Sequence, residues 1–354
     1  MSKCQSDDSS SSWNEVKWIP MKNSRALTIC VFMAVALSMA AVKPNYRVVN
    51  TWKLGGEGWW DYLSVDSDTH RLFIARGTRV MVVDTDSGRL LGEIPDTQGV
   101  HGVAFVRDLG LGFTSNGRED TVSVFDLKSL AVQKKIKVGN GPDAILYDPF
   151  SKRVFTFNGR GQDTTAVDPS KSDVAGTLAL GGKPEFPVSD EKGTVFVNIE
   201  DKSELVAFDP VKLSVKSRWK LTGCEEPTGL SFDAKARRLF VGCGGNKKMV
   251  VVDADNGKVL ATLDIGEGCD ATAFDPDRNL AFASAGDGTI TVVSEDAPDK
   301  FSVVQTVTTQ KGARTMTVDH KTHRLYTVTA NVGPRPERKM EPDSFVVLVL
   351  ESGG

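Results

Sequence analysis

Seven positions in this chain define the chemistry available to it. Asp61, His101, Asp143, Glu185, Thr228, Asp270 and Arg314 follow one another at steps of 40, 42, 42, 43, 42 and 44 residues. Four of them are carboxylates, which, gathered around one point, can hold a cation, share protons or bind a small polar ligand. His101 adds a titratable group and Arg314 a fixed cation. Such regular spacing marks a repeated element. What positions these side chains must be settled before any role is assigned.

Each of the seven opens a short alternating run: DYLSVD (61–66), HGVAFV (101–106), DAILYD (143–148), EFPVSD (185–190), TGLSFD (228–233), DATAFD (270–275) and RTMTVD (314–319). A second marker keeps step, as VVD (82–84), VFD (124–126), AVD (166–168), AFD (207–209), VVD (251–253) and VVS (292–294). Units of about 42 residues run from Gly55 to near Leu350, a period that belongs to propeller blades. Within a unit the period is two. In the fifth, TGLSFD, RLFVGC, MVVVDAD and KVLATLDI read as four successive strands separated by turn residues. DSG (86–88) and DNG (255–257) mark tight turns. The predicted fold is all-β: a seven-bladed β-propeller with four-stranded blades. The stretch YRVVNTWKLGG (46–56) is an orphan strand. Pairing it beside SFVVLVLE (344–351) completes the last blade and covers both edges.

The seven positions then start the innermost strands, where the blades converge on a channel mouth. Two accounts of their side chains stand open. In one, Asp61, His101, Asp143, Glu185, Asp270 and Arg314 form a polar cup for a ligand. In the other, each carboxylate accepts backbone N–H bonds from the neighbouring blade and closes the ring.

The segments RLFIA (71–75), RVFTFN (153–158), TVFVN (194–198), RLFVGC (238–243) and RLYTVT (324–329), within a G-x-x-P…D-P…[VF]-x-V-x-D…G-K-V frame, carry a resemblance. The chain resembles exported YncE-like seven-bladed propellers built from YVTN-type repeats, over about 300 residues. The pattern departs most where Val106 replaces the recurring Asp and at an insert in the seventh unit. The resemblance implies a fold and an exported binding or scaffold protein. It implies no particular ligand, cofactor or partner, because related propellers bind very different things.

A second loop surface is predicted from Trp59, Trp60, Arg76, Asn116, Arg118, Asn158 and Arg160. Aromatic rings and guanidinium groups can stack on bases and hold phosphates, which raises single-stranded DNA binding as an alternative. Glu119, Asp120, Asp163, Glu200, Asp201 and Asp287 share the same loops and disfavour it, and the net charge of −3 supplies no overall pull on nucleic acid. Left-handed turn geometry is the plainer reading of the Asn positions. Motifs of hydrolases, zinc peptidases and haem attachment are absent. An enzyme with a metal- or cofactor-dependent site in the cup is the alternative to a binding protein. Cys224 and Cys243, at the ends of neighbouring antiparallel strands, are expected to form a disulfide and leave Cys269 free. The insert GPRPERKMEPDS (333–344), Pro-rich and charged, reads first as disordered, or else as a lid or partner contact.

Composition is that of an ordinary soluble chain, 40% hydrophobic and 25% charged over 354 residues. Residues 1–20 read as a non-native or disordered extension. Residues 21–40 read as a signal peptide: Lys22 and Arg25 precede an apolar run, with a small-x-small cleavage site at Ser38–Ala40. A periplasmic or secreted propeller over 41–354 is the expected mature product. The alternative is an uncleaved anchor, whose apolar run of 17 residues from Ala26 to Val42 is short for a membrane span.

Overall fold

Short runs of Val, Phe, Ile and Thr alternate in direction along each repeat, and Asp, Asn or Gly interrupts them every few residues. Such runs cannot continue as helices, and they pair with their nearest neighbours in sequence. The computed structural model describes residues 44–353 apart from Arg335. The expectations for residues 1–20, the signal peptide over 21–40 and cleavage near Ala40 lie outside those residues.

Strand β1 (Tyr46–Lys53) comes first. Blade one holds β2 to β5: Leu63–Asp66, Arg71–Arg76, Arg79–Asp84 and Leu90–Ile94. Blade two holds β6 to β9: Val100–Val106, Leu111–Asn116, Thr121–Asp126 and Val132–Lys137. Blade three holds β10 to β13: Pro142–Asp148, Arg153–Asn158, Asp163–Asp168 and Asp173–Ala179. Blade four holds β14 to β17: Pro184–Ser189, Val195–Ile199, Glu204–Asp209 and Ser214–Lys220. Blade five holds β18 to β21: Pro227–Asp233, Arg238–Cys243, Lys248–Asp253 and Val259–Asp264. Blade six holds β22 to β25: Cys269–Asp275, Leu280–Ala285, Thr289–Ala297 and Lys300–Thr308. Blade seven holds β26 to β28: Met316–Val318, Leu325–Thr329 and Val346–Ser352. Its fourth strand is β1, in the order β1–β28–β27–β26, antiparallel throughout. Tyr46 faces Ser352 and Lys53 faces Val346, so the two ends of the chain close the ring. The fold is a seven-bladed β-propeller, with only two short 3-10 segments as helix among the described residues.

Burial explains the strand composition. The second and third strands of a blade are covered on both faces, as in RVFTFN of β11, whereas the outermost strands alternate outward, as in β13 and β17. Seven buried apolar clusters result, one for each junction between blades. Aromatic pairs cross these junctions: Phe73–Phe105 at 4.9 Å, Phe155–Phe208 at 5.6 Å and Phe240–Phe274 at 5.2 Å between ring centroids.

The recurring Asp that ends each first strand does two structural jobs. Its carboxylate accepts N–H groups of its own turn, as Asp148 does from Ser151 and Asp190 from Lys192 and Thr194. It also reaches the next blade, from Asp66 to Arg107, Asp148 to Ser189 and Asp275 to His323. Blade two, which carries Val106 instead, makes its turn from the 3-10 segment Arg107–Leu109 and supplies the arginine that Asp66 holds. The third-strand Asp residues cap the following turn, as Asp126 does for Lys128 and Ser129.

Cys224 and Cys243 are joined, their Cα atoms 5.3 Å apart, and Cys269 is free and buried. Burial pushes the Cys269 thiol far above its ordinary range, which makes it unreactive. The bond closes a loop of 19 residues. Replacing both partners with Ser is expected to cost about 3 kcal/mol, read as a lower urea midpoint. An unchanged midpoint would show that packing alone holds blade five.

Candidate functional site

The head of each innermost strand is irregular, and this is what aims the seven side chains. Pairing with the second strand skips between Val100 and Val103, Pro142 and Ile145, Pro184 and Pro187, Pro227 and Leu230, and Cys269 and Ala271. The skipped residues include His101, Asp143, Glu185, Thr228 and Asp270. A bulge frees the local backbone from the ladder and re-aims its side chains, here into the channel mouth. In blades one and seven the ladder starts later, so Asp61 and Arg314 sit just ahead of it.

Three groups of contacts form the cup. His101 Nδ1 lies 2.6 Å from Asp61 Oδ2 and 3.3 Å from Asp143 Oδ1, which joins blades one, two and three. Gly117 makes room for the ring, since a Cβ there would stand 2.7 Å from His101 Nε2. On blade four, Lys183 Nζ lies 2.7 Å from Glu185 and also bonds Glu200. Between blades six and seven, Arg314 meets Asp270 at 3.1 Å. Thr228 turns away and donates to the Cys269 carbonyl at 2.7 Å.

The floor comes from two residues that sequence reasoning missed. Tyr62 follows Asp61, Phe186 follows Glu185, and their rings meet edge to face at 5.0 Å across the channel. A signal for them exists: the residues after the seven site positions are Tyr62, Gly102, Ala144, Phe186, Gly229, Ala271 and Thr315. Two large aromatics stand among five small residues, in blades on opposite sides of the ring. Below the floor, Phe186 lines a separate cavity of about 820 Å³ that runs toward the turns of the other face.

Electrostatics of the cup follow from crowding in a narrow space. Burial raises the Tyr62 hydroxyl well above its usual range, helped by the four carboxylates around it. Burial, reinforced by Asp143, pushes Glu185 up to about 9 against the pull of Lys183. Asp270 is raised to about 7 by burial, which outweighs Arg314. Asp143 is raised by burial, although His101 works against it. For His101, burial opposes the charge, but the bond to Asp61 and the fields of Asp143 and Asp61 win and lift it to about 9. The cup therefore retains protons at neutral pH.

Between blades these carboxylates meet the side chains of His101 and Arg314, and not backbone N–H groups. Among the described residues, backbone carbonyls accept from side chains of the preceding blade. Ser115 donates to the Asp143 carbonyl, Asn198 to Thr228 at 3.0 Å, Ser284 to Arg314, and Thr315 to Asp61 at 3.0 Å. Tyr62 N donates to the His101 carbonyl at 3.1 Å. No carboxylate of Asp61, Asp143, Glu185 or Asp270 accepts a backbone N–H there, which removes the expectation that they close the ring through backbone N–H bonds.

The predicted loop surface needs correction. Arg76 is fully buried, with its guanidinium 3.7 Å from the Phe345 ring centroid and donating to the carbonyls of Gly55, Gly56 and Gly58. Desolvation brings its pKa down to about 10, so it stays charged at neutral pH. Asn116 and Asn158 are buried too. They take ordinary strand conformations and donate to Ser123 and Thr165 of the next strand, so no left-handed turn explains them. Arg160 is held by Asn140, Gly117 and Asp120. That leaves Trp59, Arg118 and the tethered Arg160 exposed and Trp60 half-buried, with Arg76 removed from the surface. The insert is also not the loose loop expected from its composition. Val332 pairs with Met340, Gly333 N bonds Lys339 O at 2.8 Å, and Asn331 ties to Ser344 and Glu341.

No family model matches the chain, and no curated protein does. Among solved structures, it is similar to a chain in the crystal structure of a mitotic checkpoint complex. The TM-score is 0.70 at 13% identity, over 92% of this chain and 99% of that one. At that identity the likeness bears on the fold alone and says nothing about chemistry.

Proposed function

We propose that this chain is an exported, YncE-like propeller that acts as a binding protein, with a small polar ligand held in the cup at the channel mouth. The observation that carries the reading is the division of labour there. Ser, Thr and Asn side chains and backbone N–H groups bond the backbone of the next blade, while the side chains of four carboxylates, His101 and Arg314 gather above an aromatic floor and pair with one another and with Lys183. Keeping such groups together in a crowded space is costly, and functional sites are where that cost is usually met. Export is supported by the basic, then apolar, segment over 21–40 and by the Cys224–Cys243 bond, which suits an oxidising compartment.

A second reading has a specific observation in its favour. Asp61, His101 and Asp143 each offer one ligand atom, all within 4.8 Å of one another. Two carboxylate oxygens and one imidazole nitrogen form a donor set that first-row divalent metals accept. His101 must first lose its proton, so such a metal would compete with protons and bind better as pH rises. Around a metal held there, the same cup would suit a hydrolytic enzyme.

Thermal unfolding of residues 41–354 with divalent metals, redox cofactors and single-stranded DNA tests both readings. A ligand at 100 times its Kd adds about 2.7 kcal/mol. The expected result is a shift with one class of small ligand that vanishes in Asp143→Ala/Asp270→Ala. If no ligand shifts the midpoint and the variant is merely less stable, the cup is not a binding site.

A further inference from the structure

We infer that a second site, beside the cup, binds an organic anion that carries a flat aromatic ring. A cavity of about 810 Å³ opens on the same face between blades six, seven and one. That volume is in the range of small-molecule sites. It goes beyond the carboxylate cup, whose acids do not line it; the two meet only at Arg314.

Its walls are chemically one-sided. Trp59 and Trp60 form one wall, their ring centroids 5.7 Å apart, and Trp59 is 45% exposed. Lys311, Arg314 and Arg338 contribute three cations, and among the described residues no carboxylate lines the cavity. Among the described residues, Lys311 and Arg338 make no ion pair, although Lys and Arg elsewhere on this face do, as Lys247 with Glu267 and Arg160 with Asp120. Arg314 is paired with Asp270, so among the described residues Lys311 and Arg338 are the cations here that no acid answers, in a chain of net charge −3. Gly268, Gly286 and Gly312 leave the blade-side wall without side chains, so a planar group can lie close to the backbone.

The insert in blade seven completes the site. The pairing of Val332 with Met340 and the bond from Arg338 N to Pro334 O hold it as a hairpin. Arg338 is thereby set over the Trp59 ring, 5.4 Å from its centroid. An aromatic ring can stack on Trp59, while its anionic group meets Arg338 and Lys311. The exposed indole and its guanidinium partner are thus explained by one occupant. The insert that breaks the repeat in blade seven lies at this point.

The test is quenching of tryptophan fluorescence in the full mature chain by naphthalene-2-sulfonate and by adenosine monophosphate. Neutral naphthalene-2-sulfonamide, adenosine and inorganic phosphate are the controls. At least one aromatic anion is expected to quench saturably, with its neutral partner and phosphate alone at least about tenfold weaker. Trp59→Ala should abolish the signal. Lys311→Gln/Arg338→Gln should weaken binding about tenfold or more with an unchanged unfolding midpoint, since both side chains are exposed. Which anion binds distinguishes a nucleotide from an aromatic acid. Equal binding of charged and neutral forms, quenching that survives Trp59→Ala, or no quenching by either anion would overturn the assignment. Asp143→Ala, which disables the cup, should leave this binding intact, so the two sites fail independently.

Discussion

A chain that begins at Leu54, without β1, is expected to lose its cooperative unfolding transition altogether. β1 is the outer strand of blade seven, but its side chains reach well beyond it. Trp52 packs on Tyr326 and fills the space above Gly88, where even a Cβ would lie 2.4 Å from the indole. Tyr46 stands edge to face on Phe282 of blade six at 5.1 Å and accepts a bond from Arg278 at 2.9 Å. Gln305 takes both backbone groups of Tyr46, each at 2.8 Å. Losing either aromatic alone to Ala costs about 3–5 kcal/mol. Losing both, with the β28 edge left unpaired, reaches the whole stability of a typical domain, about 5–15 kcal/mol. Urea unfolding followed by circular dichroism checks this, with Trp52→Ala as the milder variant. A truncated chain with a normal midpoint would show that the ring stands without its seam.

The second large effect is on pH. Stability is expected to peak near pH 5 and fall toward pH 9, opposite to proteins whose carboxylates are all salt-bridged. His101 is lifted from 6.5 to about 9, so its contribution is complete below pH 6.5 and is lost as pH rises through 9. Asp270, raised from 3.8 to about 7, and Glu185, raised from 4.5 to about 9, keep protons that the unfolded chain has already released. Each such proton lowers stability by up to about 1.4 kcal/mol per pH unit, from the unfolded pKa to the folded one. All three therefore act in one direction. The acid side is set by groups such as Asp168, held down to about 2 by Ser170 and Lys171, whose contribution is lost as pH falls below 4. Denaturant unfolding at pH 5, 7 and 9 should show a fall of at least about 2 kcal/mol. Glu185→Gln/Asp270→Asn should gain on the parent steadily from pH 5 to pH 9. A flat parental profile would mean that water in the cup relieves the crowding.

Much of this architecture was legible in the residues because it is local. Period-two alternation, Asp-capped turns and a repeat of about 42 residues depend on near neighbours. The count of blades and the pairing of 46–53 with the last strand follow from them. The disulfide was accessible for the same reason, since it joins two neighbouring strands. The bulges behind His101 and Asp143 were not, because a ladder slip changes no residue type. The roles of Asn116 and Asn158 were misjudged: a polar residue at a strand end looks the same whether it caps a turn or bonds inside a hairpin. Lys183 was missed as the partner of Glu185 because only the folded backbone puts residues two apart on one side of the mouth. The Tyr62–Phe186 contact joins blades one and four across an axis that no sequence separation encodes.

That contact also sets the direction of traffic. With two rings meeting across the axis, the middle of the propeller is a thimble and not a pipe. The carboxylates lie on one side of that contact, and the chamber beneath Phe186 communicates with the opposite side of the disc. The two faces can therefore be occupied by different molecules at once, with one pair of aromatic side chains as the partition between them.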